Sequence, residues 1–281
     1  MEGLLYALLS VIATALLRLT LKHCAVNSTS AWGTLILYHI GGALVLLPFL
    51  GLPDLSILSQ EQIILLIATG ALFSLAALLD IWAMKHIDAS AGEIFHTLTF
   101  IVSVAAGLLM FHEACSLSKV TGTCIIAAGI LYEARRALTK ASHGFWLKLA
   151  SAALIATAMI ITKQLTTNTP SEFIILFSGF VVPGFIYTII GWRDLREVPS
   201  VIRDSHGVVL IVPVLDATSY AFGIKALAAG EMSTTYIIFQ TTISAVFIFE
   251  VMLHGWRKEV YLHRAVSAGL CMCGALVAIL S

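Results

Sequence analysis

Ile-Phe-His-Thr at residues 94–97 recurs as Ile-Phe-Gln-Thr at residues 238–241, in the second half of this 281-residue chain. Three further matches keep the same order along the chain: Ile-Ala-Thr-Ala at 12–15 and 155–158, Met84-Lys85 and Ile224-Lys225, and Ala128-Gly129 and Cys273-Gly274. All offsets fall between 140 and 145 residues, about half the chain, which indicates an internal repeat. The sequence therefore predicts two units, residues 1–140 and residues 141–281.

The composition excludes a soluble protein. Hydrophobic residues make up 59% of the chain, charged residues only 11%, and the mean hydropathy is +0.97, whereas soluble domains have roughly 45–50% apolar and about 25% charged residues. A secreted enzyme, a nucleic-acid-binding protein and a disordered scaffold are thereby excluded. The 16 basic and 16 acidic residues balance, and the five cysteines are odd in number and scattered, which argues against a disulfide framework.

Ten windows are apolar and long enough to cross a bilayer, which takes about 20 residues. They lie near 3–22, 30–50, 62–84, 89–110, 115–134, 144–163, 171–191, 206–228, 231–252 and 261–280. The first window has no basic segment before it, so we expect a retained helix rather than a signal peptide. Five spans per unit place the second unit upside down, an arrangement whose substrate site lies near the midplane. The predicted fold class is an all-α polytopic membrane protein with ten transmembrane helices in two inverted five-helix repeats.

At this point the chain resembles the EamA-type transporters of the drug/metabolite transporter superfamily. The resemblance rests on the paired halves, on Trp82-Ala83-Met84-Lys85 with the small residues that follow, and on Gly107 to Glu113 at the end of the fourth span. His112 stands where the family usually has Gly, and residues 253–257 lack the acidic residue expected in the second half. The resemblance implies a ten-helix transporter. It does not fix the substrate, because members carry amino acids, nucleotide-sugars, cations and other solutes.

Two indications of membrane orientation disagree. Thirteen Lys and Arg residues lie near the side that holds loops 1–2, 3–4, 5–6, 7–8 and 9–10, and three lie near the other side. Because positive residues favour the cytoplasm, the count predicts both termini outside. The family resemblance implies cytoplasmic termini. Both orientations stay open.

Polar residues in the fourth and ninth spans fall on one face of each helix. Glu93, His96 and Phe100 are spaced i, i+3 and i+7, while Tyr236 and Gln240 are one turn apart. The repeat sets His96 opposite Gln240, a donor and acceptor pair close to the symmetry axis. These residues are predicted to line the substrate cavity. The alternative is that they only join neighbouring helices by hydrogen bonds.

Ionisable groups inside a span are costly and mark candidate functional sites. Asp216 precedes Tyr220 by one turn, and the repeat sets Asp80 opposite Tyr220. A carboxyl group there loses hydration and favours its neutral form unless a cation is near. Asp216, Asp80 and Glu93 are therefore candidates for proton coupling, and Asp216 also for binding a cationic group; the alternative is a structural pair. Tyr38 and His39 in the second span are predicted to line the same cavity.

The remaining polar side chains have simpler interpretations. Arg18 could attract an anionic group, as the family resemblance suggests, whereas Lys22 is expected to reach the lipid head groups. Lys163 and Glu250 are expected at the interface. Helix packing is the favoured role of Thr14 and Thr157, which stand at the same place in the repeated Ile-Ala-Thr-Ala.

The sequence predicts a secondary transporter that moves a small polar metabolite, an amino acid or related solute, by alternating access across the cell membrane. No phosphate-binding loop occurs, and no cofactor or metal is expected. The alternatives are an intramembrane enzyme and a non-transporting scaffold. The enzyme lacks His-Glu-x-x-His and Gly-x-Ser-x-Gly motifs, and the scaffold leaves the buried polar groups unexplained. The expected partners are the lipid bilayer, a small-molecule substrate and a coupling proton or ion.

Overall fold

The computed structural model describes residues 2–27, 30–50, 55–87, 98–138, 143–169, 171–255 and 258–279, and these contain no strand. Its helices are α1 Glu2–Asn27, α2 Ala31–Leu50, α3 Gln60–Met84, α4 Leu98–Met110, α5 Leu117–Leu138, α6 His143–Asn168, α7 Glu172–Ile190, α8 Val198–Asp204, α9 Val212–Ala229, α10 Met232–Phe239, α11 Thr242–His254 and α12 Lys258–Ile279. Short 3-10 turns at Leu55–Ile57, Trp192–Glu197 and Val208–Leu210 join some of them.

The all-α polytopic class is confirmed. Within the described residues, eight segments are long and apolar enough to cross a bilayer, and α10 and α11 together form one of them. Two shorter apolar helices, Thr99–Met110 and Leu117–Tyr132, occupy the places of the predicted fourth and fifth spans. The predicted count of ten is met when these two cross as well.

One element was not predicted from the sequence. The charged stretch after α7 forms the 3-10 turn Trp192–Glu197 and the short helix α8, not a simple loop. Gly207 then turns the chain towards the eighth span with φ +77°, a left-handed conformation that favours glycine. Along this turn and α8, the charged side chains of Arg193, Arg196, Glu197 and Arg203 are exposed and alternate with apolar ones.

Helix packing follows the same pattern in both halves of the chain. Helix α3 packs along α6, and the equivalent α9 packs along α1. Helix α3 also contacts α7, while α9 contacts α2. The remaining cross-pairs are α2 with α7, α4 with α10 and α5 with α12. Each of these contacts therefore recurs when every helix is replaced by its equivalent from the other half of the chain.

The buried positions of α1 and α6 repeat with an offset of 141 residues. The matched buried pairs are Ala7/Lys148, Ser10/Ser151, Val11/Ala152, Ala15/Ala156, Leu17/Ala158, Leu21/Thr162 and Cys24/Leu165. The offset of 143 taken from Ile-Ala-Thr-Ala is therefore wrong for this helix pair. It matches Thr14, which is half-buried and hydrogen-bonded to Ser219, with Thr157, which is exposed.

Helices α3 and α9 repeat with an offset of 143 residues. The matched buried pairs are Thr69/Val212, Gly70/Pro213, Ser74/Ala217, Ala76/Ser219, Asp80/Gly223, Ile81/Ile224, Ala83/Ala226 and Met84/Leu227. The sequence match of Met84 with Ile224 is thus three residues out of register, and Asp80 stands opposite Gly223 rather than Tyr220. The sequence match misled here because it rests on a single pair of residues in each half, whereas burial reports which face of a helix meets the neighbouring helix.

Hydrogen bonds between helices repeat with these same registers. The Ser10 hydroxyl donates to the Ser219 carbonyl across α1 and α9, and the Ser151 hydroxyl donates to the Ala76 carbonyl across α6 and α3, both at 2.9 Å. The two hydrogen bonds are therefore equivalent contacts of the two matched helix pairs.

Two lysines cap helix ends in the same matched way. Lys22 Nζ donates to the carbonyls of Met84 and Ile87 after α3, both at 2.7 Å. Lys163 Nζ donates to the carbonyls of Leu227 and Gly230 after α9, at 2.7 and 2.9 Å. The expectation that Lys22 reaches lipid head groups is therefore wrong, because its ammonium group binds unsatisfied carbonyls at a helix end. Lys163 makes the equivalent contact, and its position at the interface stays a prediction.

Helices α5 and α12 cross at glycines. A Cβ atom on Gly122 would lie 2.6 Å from the Ala278 Cβ and collide with the Gly274 carbonyl. The Ser267 hydroxyl donates to the Gly129 carbonyl at 2.9 Å at the second point of closest approach. These two contacts are equivalent when residues are matched with an offset of 145, because Gly122 then corresponds to Ser267 and Gly129 to Gly274. This is the offset that Ala128-Gly129 and Cys273-Gly274 predicted.

Candidate functional site

A cavity of about 240 Å³ lies between α1, α2, α3, α4, α6, α7, α9 and the α10–α11 segment. Its walls mix polar groups with aromatic and aliphatic side chains, among them Phe73, Met159 and Phe239. Ser10, Thr14 and Arg18 of α1 occupy three successive turns of its wall. The cavity therefore extends along the middle of the first span, well inside the bundle.

Asp216 and Tyr38 form one polar wall of the cavity. Asp216 comes from α9 and Tyr38 from α2, and their carboxyl and hydroxyl groups lie beside each other. Arg18 contributes to the electrostatic field at Asp216. The Tyr38 hydroxyl is placed to donate to this carboxyl group, so both predicted site residues reach the cavity together.

His39, also predicted, lines the cavity but is almost completely buried, with 4% of its surface exposed. Aromatic rings surround it: Tyr38 at 4.3 Å, Tyr187 at 5.2 Å and Phe180 at 6.1 Å between centroids. Neither ring nitrogen forms a hydrogen bond with any described residue. A buried polar group without a partner is costly, so His39 has hydrogen-bonding capacity available for a ligand.

Tyr220 and Tyr236, both predicted, bring two more unsatisfied groups to the same space. Their hydroxyls are buried, and neither forms a hydrogen bond within the described part of the chain. Thr162 and Ser103 are their polar neighbours, but without hydrogen-bond geometry. Tyr220 packs edge-on against Phe73, with ring centroids 5.8 Å apart, which fixes the direction of its hydroxyl.

Gln240, predicted as well, stands where the ninth span is interrupted. Helix α10 ends at Phe239 and α11 begins at Thr242, and both Gln240 and Thr242 line the cavity. The Thr241 amide donates to the Ile238 carbonyl, three residues back instead of four. Gln240 is 5% exposed, and its side-chain amide donates to the Tyr236 carbonyl at 3.3 Å. Interrupted helices at a polar cavity are typical of transporter sites.

Asp80 forms ion pairs with cations from two helices. Its Oδ2 lies 2.6 Å from Nη1 of Arg18 on α1, and its Oδ1 pairs with Nζ of Lys148 on α6. The Ser151 hydroxyl lies 3.4 Å from the same Oδ1. Side-chain exposure falls from 16% for Arg18 to 6% for Asp80 and zero for Lys148. Arg18 and Asp80 line the cavity, and Lys148 lies behind them.

Sequence reasoning missed Lys148 as a partner of Asp80. It was counted among the charges beside loop 5–6, because it is the sixth residue of α6. The available signal was periodicity: Lys148 and Ser151 are three residues apart, hence on one helical face with the buried Ala152.

Other predicted residues lie elsewhere. Glu93 and His96 fall outside the described residues. Glu250, expected at the interface, is buried and pairs with Arg264 at 3.4 Å. Within the described ranges no group of three His, Cys, Asp or Glu side chains could hold a metal ion.

A second charged cluster lies at the turn between α9 and α10. The Glu113 carboxylate accepts hydrogen bonds from the backbone amides of Met232 and Ser233, at 2.5 and 2.8 Å. Lys119 forms an ion pair with Glu231 in the same turn and, by its charge and hydrogen bond, lowers the pKa of that carboxyl. Together with Lys163, these groups fix the turn in place without reaching the cavity.

Comparison with known proteins gives a family match in the first half of the chain. The model of the EamA-like transporter family matches residues 1–132. No curated protein matches the chain. A solved structure described as "Crystal structure of protein" superimposes with a TM-score of 0.69 at 16% sequence identity, covering 99% of this chain and 97% of its own. This likeness supports the described fold from end to end.

Proposed function

We propose that this multi-pass membrane protein is a secondary transporter of a small polar metabolite, because its residues 1–132 match the model of the EamA-like transporter family. The cavity is its substrate site, and alternating access is its mechanism. An amino acid or a related solute is the first candidate substrate.

The observation that carries this proposal is the set of unsatisfied polar groups around one cavity. The imidazole of His39 and the hydroxyls of Tyr220 and Tyr236 lie in its wall without hydrogen bonds to the described residues. In a scaffold these buried groups would stay without hydrogen bonds, at a cost in free energy. A polar ligand supplies the missing hydrogen-bond partners when it binds. About 240 Å³ suits a metabolite of amino-acid size rather than a lipid or a peptide.

The matched contacts support alternating access by two inverted units, residues 1–140 and 141–281. Ser10 with Ser219 and Ser151 with Ala76 join helices of different units, while the Lys22 and Lys163 caps each stay within one unit. Rocking of one unit against the other therefore changes the first kind of contact and keeps the second. In inverted-repeat transporters such motion opens a central site to each side in turn.

The orientation predicted from the charge count stays the same when four basic residues that bind groups inside the bundle are left out of the count. Lys148, Arg18 and Lys22 bind groups inside the bundle, and so does Lys163 on the sparse side. Most of the remaining basic residues, including Arg193, Arg196 and Arg203, still lie on one side. We therefore propose that this side faces the cytoplasm and both termini face outwards.

Counterflow in proteoliposomes tests the transport proposal. Vesicles containing the purified protein are loaded with unlabelled L-amino acids and diluted into a tritiated L-amino-acid mixture. A carrier accumulates label transiently, and empty vesicles do not. In parallel, vesicles loaded with a cell metabolite extract are analysed by mass spectrometry, which detects loss of any other transported solute.

The two rival classes give different results in this assay. A membrane enzyme converts solutes, so new masses appear inside the vesicles. A scaffold changes neither the label nor the extract. Depletion of unmodified solutes supports a carrier, and its absence for every solute overturns the proposal.

A further inference from the structure

A groove on the outer face of α2 lies apart from the cavity. Its volume is about 440 Å³, and all the residues that line it are apolar or glycine. One wall is α2 from residue 36 to residue 45, and the other is formed by the 3-10 turn Trp192–Glu197, α8 and the chain that leads into α9. Its floor lies where α2 meets α9, because a Cβ atom on Gly41 would come within 2.6 Å of Pro213.

The groove opens outwards, towards the bilayer. Leu44 on one wall is 59% exposed, and Leu210 on the other is 53% exposed. In a multi-pass membrane protein, lipid is the solvent of such a face. Between residues 36 and 45 α2 rises about 13 Å, which is close to half of the roughly 30 Å hydrocarbon core. The groove is therefore as long as one leaflet is deep, which suits an acyl chain.

The 3-10 turn at one end of the groove separates three kinds of side chain. A 3-10 helix has three residues per turn, so residues i and i+3 share a face. The three faces are apolar (Trp192, Leu195 and Val198), basic (Arg193 and Arg196) and acidic (Asp194 and Glu197). Leu195 and Val198 line the groove, so the basic face lies directly beside the apolar one at the end of the groove.

The charges of this turn mark the level of the lipid head groups. Charged side chains are costly within the hydrocarbon core, and both Arg193 and Arg196 are exposed. The Arg193 guanidinium lies 5.7 Å from the centre of the Trp192 ring, and tryptophan is enriched at membrane–water interfaces. A guanidinium group binds phosphate through charge-assisted hydrogen bonds. The groove thus combines an apolar slot one leaflet deep with a basic face at its head-group end.

We propose that this groove binds one phospholipid molecule, with an acyl chain between α2 and α9 and its phosphate at the basic face of Arg193 and Arg196. The opposite face of α2 carries Tyr38 and His39, which line the cavity. The bound lipid therefore supports the cavity wall from outside. This proposal requires a membrane protein but no transport activity.

Native mass spectrometry of the full-length protein tests the proposal. The purified protein is delipidated in detergent and titrated with dioleoyl phosphatidylethanolamine. Dioleoylglycerol, which has the same acyl chains without the phosphate, is titrated in parallel. We expect one phosphatidylethanolamine molecule to bind per chain, and dioleoylglycerol to bind roughly tenfold more weakly, since a hydrogen bond to a charged group is lost.

Two variants fill the groove from opposite walls. Leu44→Trp and Leu210→Trp each place a larger ring where the acyl chain lies, and each should weaken phosphatidylethanolamine binding roughly tenfold or more through overpacking. Because the two residues belong to different elements, one variant replaces the other if either fails to fold. Leu5→Trp is the matched control, since Leu5 is 57% exposed on α1 outside the groove, and it should bind as the unmodified chain does.

A further variant tests the position of the phosphate. Arg196→Gln should weaken phosphatidylethanolamine binding roughly tenfold and leave dioleoylglycerol binding unchanged. Arg203→Gln is its control, because the Arg203 side chain is 80% exposed and pairs with Asp204. It should change neither affinity.

Three results would overturn the proposal. The first is equal phosphatidylethanolamine binding in the groove variants and in Leu5→Trp. The second is equal affinity of the unmodified chain for the two lipids. The third is a dimer that Leu44→Trp abolishes while no lipid is bound, because a second copy of the chain would then occupy the groove. Since the assay measures lipid and not flux, failure of the counterflow experiment leaves its result readable.

Discussion

At the residue scale, we propose that the charge of Asp216 in the cavity wall changes during a transport cycle. Its carboxyl group lies in the cavity wall beside the Tyr38 hydroxyl. A membrane-embedded carboxyl group of this kind is a candidate for exchanging a proton or binding a cationic substrate group.

Replacement of Asp216 by Asn keeps its size and hydrogen bonding but removes its titration. We expect the folded protein to persist while stimulation by an imposed pH gradient, or uptake of cationic solutes, is lost. Flux into vesicles with and without the gradient measures this. Asp194→Asn, outside the predicted spans, is the control, and equal flux with equal gradient dependence in the Asp216 variant would make Asp216 structural only.

Substitution of two tyrosines near the cavity distinguishes a role in ligand binding from a role in stability. The Tyr236 hydroxyl has no hydrogen bond, whereas the Tyr187 hydroxyl donates to the Ser74 carbonyl. Tyr236→Phe is therefore expected to keep the melting temperature and to raise KM about tenfold, since one hydrogen bond to the substrate, about 1.4 kcal/mol, is lost.

Tyr187→Phe is expected to do the reverse, because it leaves a buried carbonyl with one partner fewer. Its melting temperature should fall, while KM stays the same. Uptake kinetics and thermal unfolding of the two purified variants decide between these roles. A lower melting temperature in Tyr236→Phe with unchanged KM contradicts the assignment of Tyr236 to the site.

At the element scale, α5 and α12 depend on the absence of side chains where they cross. A methyl group on Gly122 would collide with the Gly274 carbonyl and the Ala278 side chain, whereas one on Gly269 meets nothing within 4 Å. Gly122→Ala should lower the free energy of unfolding by about 1–3 kcal/mol through overpacking. Gly269→Ala should be neutral or slightly stabilising. Thermal unfolding in detergent compares the two, and equal melting temperatures would rule out a close crossing.

How far the sequence predicts the elements depends on what signal each one carries. The long apolar windows gave nearly every span, because bilayer thickness fixes their length. The match of Gly129 with Gly274 had the right register, since close packing tolerates few other residues there. The matches of Thr14 with Thr157 and of Met84 with Ile224 had the wrong register, because short sequence matches within apolar spans recur without structural meaning. The α8 segment went unpredicted since its charges resemble those of a loop.

The site was predicted in part for a related reason. Tyr38, His39, Asp216, Tyr220, Tyr236 and Gln240 were recognisable as polar residues inside apolar spans, and all of them line the cavity. Lys148 was missed because proximity to a loop outweighed its helical face. The pairing of Asp80 with residues 68 and 62 positions away needs the fold itself.

At the scale of the whole molecule, the two halves make matched contacts around one cavity, and the charges of Asp80 and Lys148 break this symmetry on one side only. Alternating access requires that the cavity opens to each side of the membrane in turn. A probe in its wall that leaves the polar groups intact can test that claim without any knowledge of the substrate.

Met159 in the cavity wall is suited to this purpose, because it is partly buried on α6 and apolar. The measurement is reaction of Met159→Cys, with the native cysteines replaced by serine, with a membrane-impermeant thiosulfonate added to one side of sealed vesicles at a time. Alternating access predicts modification from either side, and protection from both by prior reaction with a permeant reagent. Modification from one side only, or from neither, would contradict alternating access through this cavity.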